Sequence, residues 1–173
     1  MNIVLVVAQK DFQDKEFSDT KDALQKAGFK CDVAAKTIDP AEGKFGLKLM
    51  PDLTIEDAID SLDMYAGIVF IGGPGATVYI DDPDALSLAK RCFDKGKVTA
   101  AICIAPMILA NAGILKNKNA TVWDGDKEQS AYFAKNSIRY TGQDVSVDGN
   151  IVTGNGPMAA RKFGEAIARL LEQ

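Results

Sequence analysis

Ile3-Val4-Leu5-Val6-Val7 is an apolar run without a single polar break, and Gly67-Ile68-Val69-Phe70-Ile71 and Val98 to Ile102 resemble it. A half-exposed strand alternates polar and apolar positions, so such runs must be buried on both faces. Helical stretches lie between them. One runs from about Glu16 to Ala27 and closes at Gly28; another opens with Asp82-Pro83, an N-cap followed by a proline at the first helical position, and runs to about Lys95-Gly96. Strands alternating with helices predict βαβ units and a mostly parallel sheet covered on both sides, a three-layer α/β sandwich.

The rest of the chain fits that plan. Phe29 to Ala35 alternates as a second strand, residues 37–55 read as irregular with short hairpin strands, and Ile55 to Leu62 as a short helix. A helix follows Cys103 and ends near Ala112-Gly113, and strand, helix and strand repeat over 120–140. Val145 to Val147 and Ile151 to Thr153 flank the turn signal Asp148-Gly149-Asn150, and Pro157 to Leu171 is an amphipathic closing helix. No repeat, linker or low-complexity segment divides the chain, and 173 residues that are 47% hydrophobic suit one domain over 1–173.

Composition excludes several functions. A net charge of −4 with no basic stripe argues against nucleic acid. No apolar run approaches the roughly 20 residues of a membrane span, and the N-terminus reads as a strand rather than a signal peptide. The chain has no histidine, which removes Ser-His-Asp triads, Cys-His dyads and His-ligated zinc. Three cysteines, Cys31, Cys92 and Cys103, show no CxxC spacing, so neither a disulfide framework nor a metal knuckle is expected, and a reducing cytoplasm is the expected compartment. No cofactor motif is present: Gly72-Gly73-Pro74-Gly75-Ala76-Thr77 misses both nucleotide-binding glycine patterns.

Ligands of open α/β sheets bind at the carboxyl ends of the strands. There, Ala101-Ile102-Cys103-Ile104-Ala105-Pro106 sets a cysteine at an abrupt strand-to-helix junction, as in a nucleophile elbow. Such a cysteine takes a strained φ, and the helix start after it should favour the thiolate and lower the thiol pKa. Backbone N–H groups at the junction and in the Gly72 cluster suit an oxyanion. A free cysteine is more often a small buried hydrophobe, and Cys31 and Cys92 read as packing residues. Asp124-Gly125-Asp126-Lys127-Glu128 lacks the spacing of a calcium loop and reads as a solvated helix start.

Taken in order, these positions resemble the ThiJ/PfpI family, which holds PfpI-type intracellular proteases and the Parkinson disease protein with its bacterial relatives. The likeness covers nearly the whole chain. It rests on Glu16 at the first helix, Ile71-Gly72-Gly73 with Gly75-Ala76, Ala101-Ile102-Cys103 with Pro106, Asp148 to Thr153, and Gly156-Pro157 before a last helix containing Phe163. The resemblance implies a flavodoxin-like sandwich and a reactive Cys103. It also implies a protonated Glu16 bonded to the sulfur, Gly73 and Ile104 amides as an oxyanion site, and a homodimer or larger homo-oligomer. The chain departs from the pattern where protease-like members carry histidine, here Ile104. It departs again where the Parkinson protein's subgroup has a later histidine, near Trp123, and Ser-Arg, here Gly154-Asn155. Cys-His peptidase chemistry is therefore excluded, and Ile104, Trp123 and Asn155 are expected to shape an apolar, narrow pocket.

Three functions follow as expectations. In the first, the Cys103 thiolate attacks a small electrophile, either a 2-oxoaldehyde (glyoxalase or deglycase chemistry) or a peroxide, with Glu16 moving the proton. In the second, the protein is a non-catalytic, stress-associated chaperone or binding protein. Amide or isonitrile hydrolysis by a Cys-Glu pair is a third.

Overall fold

The computed structural model describes all 173 residues. β1 (Asn2–Val6), β2 (Lys10–Phe12) and α1 (Asp14–Lys26) lead into β3 (Lys30–Ala35). The short strands β4 (Ala41–Gly43), β5 (Lys48–Leu49) and β6 (Leu53–Thr54) come next, then α2 (Ile55–Asp60). After these come β7 (Tyr65–Phe70), α3 (Pro83–Asp94), β8 (Val98–Ile102) and α4 (Pro106–Asn111). β9 (Asn119–Ala120), α5 (Glu128–Lys135), β10 (Arg139–Tyr140), β11 (Val145–Asp148), β12 (Ile151–Gly154) and α6 (Ala160–Leu171) follow.

Seven strands form the central sheet in the order β11-β12-β8-β7-β1-β3-β6. Every pairing is parallel except β11 with β12, the hairpin that Asp148-Gly149-Asn150 turns. The apolar runs are buried on both faces because successive side chains point to opposite sides. Ile3, Leu5 and Val7 pack with Phe17 and Leu24 of α1 and Phe163 and Ile167 of α6. Val4 and Val6 pack with Leu88 of α3, Leu109 of α4 and Phe133 of α5. Each such side chain contributes roughly 1.5–3 kcal/mol when fully buried. On their shared face α1 and α6 approach closely at Gly164, where a Cβ would lie 2.8 Å from that of Ala23.

Three local features go beyond the sequence reading. β9 and β10 pair only with each other, in a separate parallel ribbon. The place beside β8 is taken by β12, whose four residues pair with Thr99 to Ile102. The polar loop before α1 contains β2, which joins β4 and β5 in a small three-stranded sheet. α1 itself starts at Asp14 because the Gln13 side chain caps it, accepting the Glu16 N–H at 2.9 Å.

Candidate functional site

The carboxyl ends of β1, β7 and β8 meet at Cys103. Its φ is 64°, in the left-handed region, which costs a residue with a Cβ roughly 1–2 kcal/mol. Two backbone bonds hold it there: the Cys103 N–H donates to Gly154 O at 2.9 Å, and its carbonyl accepts the Trp123 N–H at 2.8 Å. α4 begins only at Pro106, so residues 103–105 form the turn that lifts the half-buried sulfur into a cleft. A strained backbone over-determined by its surroundings is characteristic of functional positions.

Glu16 is 0% exposed despite its place in the first turn of α1. Its Oε2 accepts the Gly72 N–H at 2.9 Å. Its Oε1 is buried without a nitrogen or oxygen partner, and the carboxyl faces the Cys103 thiol. Burial pushes the Glu16 carboxyl up to about 7, against the opposing pull of Cys103 and the Gly72 amide. Burial also pushes the Cys103 thiol up, and a negative Glu16 pushes it further. The Gly73 and Ile104 amides pull it down. The expectation of a lowered thiol pKa is thus corrected: desolvation and the facing carboxylate outweigh the amides and the helix start. The two groups titrate as one coupled pair.

Glycines make this closeness possible. A Cβ on Gly72 would lie 2.5 Å from the Cys103 Cβ and 2.7 Å from Glu16 Oε2. Gly73, with φ 103°, lets the chain pass Gln13, whose backbone nitrogen would be 2.5 Å from an added Cβ. That contact brings the loop before α1 against the end of β7, and the Gln13 N–H donates to Gly72 O at 2.9 Å.

A cavity of about 490 Å³ opens above the sulfur, lined by Gly73, Cys103, Ile104 and Trp123 among the residues expected there. Asn155 is a correction: it does not line the cavity, and its N–H donates to Asp144 O at 3.0 Å beyond β12. Gln13, Lys44, Phe45, Pro74, Thr77, Asp126, Gln129 and Pro157 also line it, and although several of these are polar residues, most of the surface the wall presents is apolar, as expected. Lys44 and Phe45 carried no sequence signal, since pairing of β2 with β4 brings them in. Gln13 lies in Gln9 to Glu16, the segment after the first strand, which by sequence is one of the strand ends where a ligand is expected. Asp126 belongs to the start of α5, where its carboxylate accepts the Glu128 N–H at 3.1 Å.

The other cysteines are packing residues. Cys31 is half-buried against the α1–α6 face, and Cys92 is buried with its thiol donating to Val98 O at 3.4 Å. No three Cys, Asp or Glu side chains converge as a metal cluster, and no helix is long and apolar enough to cross a membrane.

Comparison with known proteins places the chain in a lineage. The chain is 36% identical to an uncharacterized protein of Methanocaldococcus jannaschii, covering 99% of this chain and 82% of that one. It is 26% identical to a protein of Pyrococcus horikoshii named a deglycase, over 98% of this chain and 99% of the relative. A ThiJ/PfpI domain protein from Brachyspira murdochii superposes with a TM-score of 0.92 at 32% identity, covering 99% of this chain and 96% of that one. The family model for DJ-1/PfpI matches residues 1–170, and the chain belongs to the DJ-1/PfpI family.

Proposed function

We propose that this protein is an enzyme acting through Cys103 on small reactive carbonyls, in deglycase or glyoxalase-type chemistry. The observation that carries it is the pairing of a strained Cys103 with a fully buried Glu16 at the floor of an open cavity. Glu16 as the carboxylate takes the thiol proton while the sulfur adds to an aldehyde carbon, forming the S–C bond. The carbonyl electron pair moves to oxygen, which takes a proton from Glu16 and gives a hemithioacetal. The Gly73 and Ile104 amides lie against the sulfur and suit the charge that develops on oxygen. With a 2-oxoaldehyde, Glu16 then moves the proton from the former aldehyde carbon to its neighbour, and water releases a 2-hydroxy acid from the resulting thioester. A carboxyl near pKa 7 suits both halves of this transfer at neutral pH. The name of the Pyrococcus horikoshii relative supports the same class.

The test is incubation with methylglyoxal, reading the Cys103 adduct by mass spectrometry and hydroxy-acid release by chromatography. Product should disappear in Cys103→Ala and fall by roughly 10²–10⁴ in Glu16→Gln. No adduct and no product from the unaltered protein would reject the reading. One observation favours the alternative, a non-catalytic binding protein: burial and Glu16 both push the thiol up. On that alternative, iodoacetamide near neutral pH labels Cys31 faster than Cys103.

A further inference from the structure

Two hydrogen-bond donors on the cavity wall have no acceptor in the protein. Lys44 is the only cation among the lining residues. Its ammonium pairs with no carboxylate and lies 5.8 Å from the centroid of the Phe45 ring. Gln13 uses its Oε1 to cap α1, which leaves its Nε2 without a protein acceptor.

The turn bearing Lys44 is fixed rather than free. The Lys44 N–H donates to Phe12 O at 2.9 Å. Asp14 Oδ1 accepts the Phe45 N–H at 2.9 Å and Oδ2 the Leu47 N–H at 2.8 Å. Gly43 leaves room for that carboxylate, since a Cβ there would lie 2.4 Å from Oδ1. The first turn of α1 therefore carries both Glu16, at the sulfur, and Asp14, which positions the Lys44 turn at the cavity. The one acid on the wall, Asp126, keeps its charge and is held at the start of α5, where its Oδ1 accepts the Glu128 N–H and the Gln129 amide at 2.7 Å in its satisfied orientation.

Lys44 is exposed and Gln13 half-buried, so water solvates both donors, and an anion entering the cavity can take the place of that water beside an unpaired cation. We propose that Lys44 and the Gln13 amide form an anion subsite, and that the electrophile taken by Cys103 is a small carbonyl compound carrying a carboxylate. The identity of the electrophile rests on the carbonyl chemistry above; the subsite does not. The covalent step is the addition already written, with the carboxylate anchored at Lys44 and unchanged by it.

Trp123 is the only tryptophan and lines the cavity, so its fluorescence reports occupancy. The probes are oxamate, an unreactive mimic of a 2-oxo acid, and oxamide, its neutral counterpart, titrated by fluorescence and by calorimetry. Oxamate should bind more tightly than oxamide. Lys44→Met should weaken oxamate roughly fivefold or more and leave oxamide unchanged, and added salt should weaken oxamate alone. Equal binding of the two probes, an oxamate affinity indifferent to Lys44→Met, or no saturable oxamate binding by either method overturns the subsite. Lys44-dependent oxamate binding in a protein that forms no adduct with methylglyoxal would instead reject the carbonyl chemistry and keep the subsite.

Discussion

Glu16 and Cys103 meet across Gly72: the carboxylate accepts the Gly72 N–H, and the cysteine's Cβ occupies the space a Gly72 side chain would need. Residues far apart in sequence thus share one buried contact, with a single backbone amide between them. The pair has little water to solvate a charge, and its ionisation carries measurable consequences.

The first concerns stability. Glu16 is raised from 4.5 to about 7 in the folded protein, so between those values the folded state holds a proton that the unfolded state has lost. Stability from this group is therefore highest below about pH 4.5, falls as pH rises toward 7, and is level above it. The loss is on the order of 3 kcal/mol. Urea denaturation at pH 5 and pH 8 should show that decline in the unaltered protein relative to Glu16→Gln. Parallel pH dependences in the two would mean that Glu16 is ordinarily solvated.

The second concerns reactivity. Since the pair titrates together, the first proton lost by either group leaves near pH 7, whichever atom releases it. In a background lacking Cys31 and Cys92, the alkylation rate of Cys103 should rise through an inflection near pH 7 and rise again at much higher pH. Glu16→Gln should lose the inflection near 7. An unchanged profile would uncouple Glu16 from the thiol.

Backbone strain at Cys103 gives a third. Its φ of 64° penalises any Cβ by roughly 1–2 kcal/mol, while glycine's extra freedom when unfolded offsets about 0.4–1 kcal/mol. Cys103→Gly should therefore be about 0.5–1 kcal/mol more stable than Cys103→Ala by urea denaturation. The ordinary order, alanine above glycine, would show that the turn is relaxed.

A fourth follows from the absence of histidine. No Cys-His base exists within the chain or in another copy of it, so casein and fluorogenic peptides should remain uncleaved. Cleavage that survives rigorous purification and vanishes in Cys103→Ala would overturn this.

Much of the fold was legible because it depends on local chemistry. Unbroken apolar runs demand two covered faces, Asp82 with Pro83 begins a helix, and Asp148-Gly149-Asn150 closes a hairpin; each appears where local chemistry places it. The elbow at Cys103 was legible too, since small neighbours and a following proline mark an abrupt turn. Three other features depended on partners remote in sequence. β12, rather than β9 or β10, sits beside β8, paired over four residues. Lys44 and Gln13 reach the cavity only through the pairing of β2 with β4 and the glycine approach at Gly73. The direction of the thiol pKa was decided by burial and by Glu16 across Gly72, and the helix start that the sequence displays does not override them. Solvation and Coulomb interactions act through space, so the tertiary structure alone sets them.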